Sequence, residues 1–177
     1  RADKELRAFA LTVEQQADFL EASRGTFYDN LFNVAVNTGL RPGELFALTL
    51  DDIHFDEKYI DVNKTLVYQK YLDDDCKTFH IEPPKTKQSY RHVPINSECR
   101  KYLEKQVELK GIVKNKRPKE QNGYLFVTSY NTPLNSQIYA DSIKSIVKQI
   151  NLTKSFDNEF PVFSGHTLRH LSLIHIS

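Results

Sequence analysis

From Ile53 to Pro94 the chain reads as β-structure, while the residues on both sides read as helix. That enclosure limits the folds open to it. Ile53-His54-Phe55, a polar turn at Asp56-Glu57-Lys58, and Tyr59-Ile60-Asp61-Val62 have the pattern of strand, turn and strand. The second strand continues, on this reading, through Thr65-Leu66-Val67-Tyr68. Asp73-Asp74-Asp75 forms a hairpin tip before a third strand over residues 78–82, and residues 83–88 turn again. Arg91-His92-Val93-Pro94 closes a small antiparallel sheet.

The flanks carry helical signals. Thr12-Val13-Glu14-Gln15 has the form of a capping box, and Val13, Ala17 and Leu20 then recur at helical spacing up to Ser23. A second helix is predicted over residues 26–38 and ends at Gly39. Its Phe27, Leu31, Phe32, Val34, Ala35 and Val36 cover most of the circumference, so it is expected to be largely buried. Pro42 suits the first turn of a short helix running to Leu48. After the sheet, Asn96 caps a helix with Cys99, Leu103 and Val107 inward and Gly111 at its end. Residues 112–123 form a basic loop, and residues 124–127 a short strand or extended segment. Asn135 or Ser136 caps the next helix, striped by Tyr139, Ile143, Ile146 and Ile150, and Ser164 caps a last one bearing Arg169. No repeat or linker interrupts this order. The expected architecture is one α+β domain over residues 1–177, mainly helical, with a small antiparallel β-sheet insert.

At 177 residues the chain is long enough to bury one sizeable core, and 40% hydrophobic with 27% charged residues is ordinary for a globular protein. The start, RADKELRAFA, lacks the apolar run of a signal peptide, and no stretch approaches a membrane span. Two cysteines, Cys76 and Cys99, are too few for a disulfide scaffold, so a reducing, cytoplasmic setting is expected. The absence of an initiator methionine leads us to expect a piece of a longer protein. The net charge of +1 hides a strong division. Residues 83–119 carry eleven basic and three acidic side chains, whereas residues 42–82 carry four and ten. Lys101, Lys105 and Lys110 alone would serve as a solvated helix face, but a basic block of this size is also what a phosphate backbone attracts.

Three short motifs sharpen that expectation: TGLRPGEL at 38–45, PPKTKQSYRHVPI at 83–95, and SGHTLRH at 164–170. Each alone is weak, since an arginine after a helix end or a lysine in a turn is ordinarily just solvated. Together, in this order and context, they resemble the catalytic domain of the tyrosine recombinases, the phage and transposon integrases, from about Leu11 to His170. The resemblance implies that family's catalytic core fold. It also implies double-stranded DNA as partner, self-association on DNA (a tetramer in the family), and strand exchange through a 3′-phosphotyrosine. Because the covalent bond conserves the phosphodiester energy, no cofactor is required.

The chemistry fits these residue types. Two planar, permanently charged guanidinium groups match the oxygens of a five-coordinate phosphorus, and donors placed where charge develops are generally the largest catalytic term. The resemblance assigns that clamp to Arg41 and Arg169, a steadying role to Glu44, and phosphate hydrogen bonding or proton handling to His166. The lysine that protonates the leaving 5′ oxygen matches Lys85, with Lys87 as its neighbouring competitor. His166 and His170 are four apart, as in a zinc helix, but Thr167 stands where the metalloprotease pattern needs glutamate. The resemblance places the nucleophilic tyrosine some thirty residues beyond His166, and the last tyrosine here is Tyr139. The expected fragment therefore lacks both the N-terminal DNA-binding domain and the C-terminal tyrosine segment, and is inactive alone. Two rival readings are a non-catalytic DNA-binding module of the same fold and a metal-dependent nuclease using Asp51-Asp52 or Asp73–Asp75.

Overall fold

The computed structural model describes residues 10–113 and 123–168. Helix α1 (Val13–Ser23) opens on the expected capping box: Thr12 Oγ1 accepts from Gln15 N at 3.1 Å, and Gln15 Oε1 accepts from Thr12 N at 2.9 Å. Helix α2 (Asp29–Thr38) ends at Gly39, whose φ of 69° places it in the left-handed region. It begins three residues later than the pattern suggests. Gly25, at φ 77°, breaks the path, and Thr26 caps back onto Ser23 O at 2.6 Å, so Phe27 stacks edge-on against Tyr28 outside the helix. Helix α3 (Pro42–Ala47) follows with proline in its first turn, as expected.

The β-region differs from the single sheet predicted. Strands β1 (Ile53–His54), β2 (Tyr59–Val62) and β5 (Arg91–Pro94) make one antiparallel sheet in the order β1-β2-β5. Strands β3 (Thr65–Gln69) and β4 (Thr78–Glu82) make a separate hairpin, with Thr65 opposite Glu82 and Gln69 opposite Thr78. The break falls at Asn63-Lys64. Both side chains reach back to the buried carboxylate of Asp52, Asn63 Nδ2 at 3.1 Å and Lys64 Nζ at 2.5 Å, and this turns the chain out of the first sheet. The hairpin tip is tied down as well, because Asp74 accepts from Tyr71 N at 2.8 Å and meets His80 Nε2 at 2.7 Å.

Helix α4 (Ser97–Ile112) is capped by Asn96 and runs through Gly111, ending one residue beyond it. Helix α5 (Ser136–Asn151) is capped by Asn135, whose Oδ1 accepts from Ile138 N at 2.9 Å. Residues 124–127 form no strand: bends at 125 and 126 separate two isolated bridges, Thr49 to Tyr124 and Val127 to Pro133. One core joins these parts. Phe19 of α1 sits edge-on to Phe32 of α2 at 5.0 Å and to Phe163 at 4.9 Å, all of them buried. Where α2 meets α4 the core admits one polar bridge: Asn30 donates to Gln106 at 3.1 Å, and Gln106 donates on to Leu125 O at 3.0 Å. That chain satisfies both buried amides, which would otherwise be costly. Among the described residues no helix is long and apolar enough to cross a membrane.

Candidate active site

The site is built where the end of α2, the start of α3 and the β-insert meet. Gly39 turns the chain so that Arg41 lies just ahead of α3, in extended backbone at φ −64° and ψ 149°. Two residues on, Gly43 lets α3 lie against β3. A Cβ there would stand 2.3 Å from Thr65 Oγ1 and 3.2 Å from Leu66 O, so only glycine allows this approach without displacement. The contact sets the spacing between Arg41 and the hairpin that leads to Lys85.

Beneath them lies Glu44, with only 6% of its surface exposed. Its Oε2 accepts from Arg41 N at 2.9 Å, which closes the first turn of α3. Arg91, at the start of β5, grips the same carboxylate with both arms, Nη1 to Oε1 at 3.0 Å and Nη2 to Oε2 at 2.9 Å. Arg41 makes one end-on contact, Nη1 to Oε1 at 3.1 Å, and its side chain remains about half exposed, at 49%. Burial pushes the Glu44 carboxyl up, but the Arg91 hydrogen bond, the Arg41 amide and the charge of both guanidinium groups outweigh it, and the net pKa is lowered. Glu44 is thus a carboxylate, and with two arginines around it the trio keeps one net positive charge, on the side where Arg41 opens to solvent.

Arg41 lines an open groove with Lys85 and His166. One wall is β3; another is the start of α5, where Ser136 and Gln137 stand near His166. Lys85 also borders the adjoining recess, together with Arg41, Glu44, Lys64, Thr86 and Ser89. Its competitor Lys87 lies in the short 3₁₀ turn Lys87–Ser89, exposed and away from both hollows. Residues 165–168 are helical, with Thr167 N donating to Ser164 O at 3.0 Å, and they carry His166 into the groove. Gly165 rests on the ring of Tyr139, where a Cβ would stand 2.2 Å from a ring carbon. Arg169 and His170 lie outside the described residues.

Tyr139 itself belongs to the core. It stacks on Phe32 at 6.0 Å and meets Phe46 edge-on at 5.4 Å, and burial pushes its phenol pKa well up. One acid of each cluster in the nuclease reading is engaged elsewhere: Asp52 with Thr49, Asn63 and Lys64, and Asp74 with Tyr71 and His80. Among the described residues no three His, Cys, Asp or Glu side chains are grouped so as to hold a metal ion.

Sequence reasoning missed Arg91 as a member of this site. A signal was present. In β5 the period of two places Arg91 on the face of buried Val93, and a guanidinium pointing inward needs a buried carboxylate to meet it.

The phage integrase family matches residues 10–176 of the chain. The transposase from transposon Tn916 of Enterococcus faecalis is 30% identical over 168 residues, covering 90% of this chain and 39% of that protein. The ICEBs1 integrase of Bacillus subtilis strain 168 is 33% identical over 127 residues, covering 71% of this chain and 33% of that one. In fold, the chain resembles the Tn1549 transposon integrase solved in complex with a circular intermediate DNA. The TM-score is 0.79 at 22% sequence identity, over 95% of this chain and 52% of that one. The chain thus spans about two fifths of the Tn916 transposase it matches.

Proposed function

The chain belongs to the phage integrase family, the tyrosine recombinases, and on that premise we propose that it is the phosphate-gripping core of a site-specific recombinase of a mobile element. The observation that carries the reading is the convergence of Arg41, Lys85 and His166, drawn from three distant parts of the sequence, on one groove. In the proposed reaction Arg41 and Arg169 bind the non-bridging oxygens of the scissile phosphate, and His166 hydrogen-bonds the same group. A tyrosine oxygen, supplied in cis or in trans, attacks phosphorus. The bond from phosphorus to the 5′ oxygen breaks, and Lys85 gives that oxygen its proton. The product is a 3′-phosphotyrosine, which a free 5′-hydroxyl reverses to complete the exchange. Double-stranded DNA is the partner, the chain works self-associated on it, and the setting is cytoplasmic.

The test has two parts. Binding to a labelled duplex is expected on the order of micromolar or weaker at physiological salt, and steeply weaker as salt rises. Affinity indifferent to salt would sink the phosphate-gripping reading. On a nicked suicide duplex the chain alone is expected to form no covalent adduct, because none of its tyrosines follows His166 and the last of them, Tyr139, is locked in the core. An adduct mapped to any tyrosine of the chain, Tyr68 of the groove wall included, would overturn the assignment of roles.

A further inference from the structure

We infer that Arg91 is a positioning residue that occupies Glu44 so that Arg41 stays open to phosphate. The inference rests on the reading of Arg41 proposed above. Glu44 sits between two guanidinium groups but does not divide itself equally. Arg91 takes it with a two-armed fork at 2.9 and 3.0 Å, while Arg41 touches it through Nη1 alone. A carboxylate accepts such a fork in its own plane, and once the fork is filled a second arginine is left with an end-on bond. The rest of the Arg41 guanidinium therefore remains uncommitted along the groove.

Remove Arg91, and the cation already bonded to the buried carboxylate is Arg41, since Lys64 of the same recess is held by Asp52. Leaving Glu44 half-satisfied is costly, so Arg41 is expected to rotate into the vacated fork. The arginine meant for phosphate then becomes a structural counter-ion. Arg91 also donates from Nη1 to Ser89 O at 3.1 Å, which ties the turn following Lys85 to the same carboxylate. One side chain thereby sets both the freedom of Arg41 and the anchorage of the lysine-bearing turn. Arg91 reaches Glu44 from 47 residues away in sequence.

The experiment is a cycle of variants of this chain, each shown to be folded by its thermal melt, with duplex affinity measured across a salt series. In the native background, Arg41→Ala is expected to weaken binding roughly tenfold and to lower the salt slope by about one. Arg91→Met is expected to do nearly the same, and adding Arg41→Ala to it to cost less than about twofold. Adding Glu44→Gln to Arg91→Met is expected to restore most of the affinity and the slope, because a neutral amide no longer captures Arg41. A residue that merely held the fold, or that touched phosphate itself, would not be rescued in slope by losing its partner. A full Arg41→Ala effect in the Arg91→Met background, or no rescue by Glu44→Gln, overturns the inference alone. If Arg41→Ala binds like the native chain, the phosphate-gripping reading falls and the inference with it. Should Arg91→Met not fold, Arg91→Lys keeps the charge without the fork and is expected to weaken binding about threefold. Native affinity and slope in that variant would overturn the role of the fork.

Discussion

Gly165→Ala is the smallest change that tests how the fold delivers His166 to the groove. The added methyl would stand 2.2 and 2.7 Å from two carbons of the Tyr139 ring, where ordinary contact begins near 3.4 Å. Something must therefore move by about 1.2 Å, the difference between 3.4 and 2.2. The ring cannot easily yield, since Phe32 covers its face and Phe46 meets it edge-on, and Tyr139 is only 3% exposed. The alternative is that residues 165–168 lift away and carry His166 with them. Overpacking of this kind costs about 1–3 kcal/mol. Urea unfolding followed by circular dichroism reads that loss, and duplex binding reads the displacement of His166. Tyr139→Leu removes the ring, so in that background Gly165→Ala is expected to cost at least about 1 kcal/mol less, a coupling typical of residues in direct contact. Native stability for Gly165→Ala, or additive costs in the double variant, would refute the packing argument.

Acid lability should trace to two buried carboxylates. Burial raises the pKa of both Glu44 and Asp52, but arginines around the first, and Lys64, the Thr49 amide and Asn63 around the second, bring each below its ordinary value. A group with a depressed folded pKa adds stability that is complete above its unfolded pKa and is lost as pH falls through the folded one. Unfolding free energy is thus expected to decline below pH 4.5 for Glu44 and 3.8 for Asp52, and Glu44→Gln or Asp52→Asn to flatten the decline. An unchanged acid limb in both variants would refute this assignment. The cysteines should separate cleanly. Burial pushes the Cys99 thiol up to about 12 while Cys76 is exposed, so a disulfide reagent should titrate one thiol in the native chain and the second only on unfolding. Two fast native thiols would show that α4 is less firmly packed than described.

Much of this fold is legible where the controlling interactions are local. The Thr12–Gln15 capping box, Gly39 at the end of α2, Pro42 in α3 and Asn96 before α4 all act within four residues, and all stand where the pattern puts them. Misreadings occur where a distant partner decides. Tyr59 to Tyr68 alternates as one strand would, and only Asp52, whose carboxylate draws in Asn63 and Lys64, divides it between two sheets. In the site, motif order brought Arg41, Lys85 and His166 forward together, and the choice of Lys85 over Lys87 came from the resemblance. Arg91 escaped because its meaning depends on Glu44, and nothing in the local pattern names that partner.

The separate β3–β4 hairpin also bears on how the chain finds this structure. Pairing β2 with β5 joins Val62 to Arg91 across residues 63–90. If the hairpin zips first, Thr65 and Glu82 are already paired, and the effective loop shrinks to roughly a third. On the logarithmic dependence of loop closure, that lowers the entropic cost by about 0.9 kcal/mol, or four- to fivefold in rate. The expected order is hairpin, then three-stranded sheet, with the Arg91 clamp on Glu44 closing only when β5 docks. Weakening the hairpin tip by His80→Ala, which removes the contacts to Asp74 and Tyr71, should then slow refolding and leave unfolding nearly unchanged. A chevron in which only the unfolding arm moves would reverse that order. The insert that leads to the groove's lysine would on this view also be the splint that shortens the path by which the groove is made.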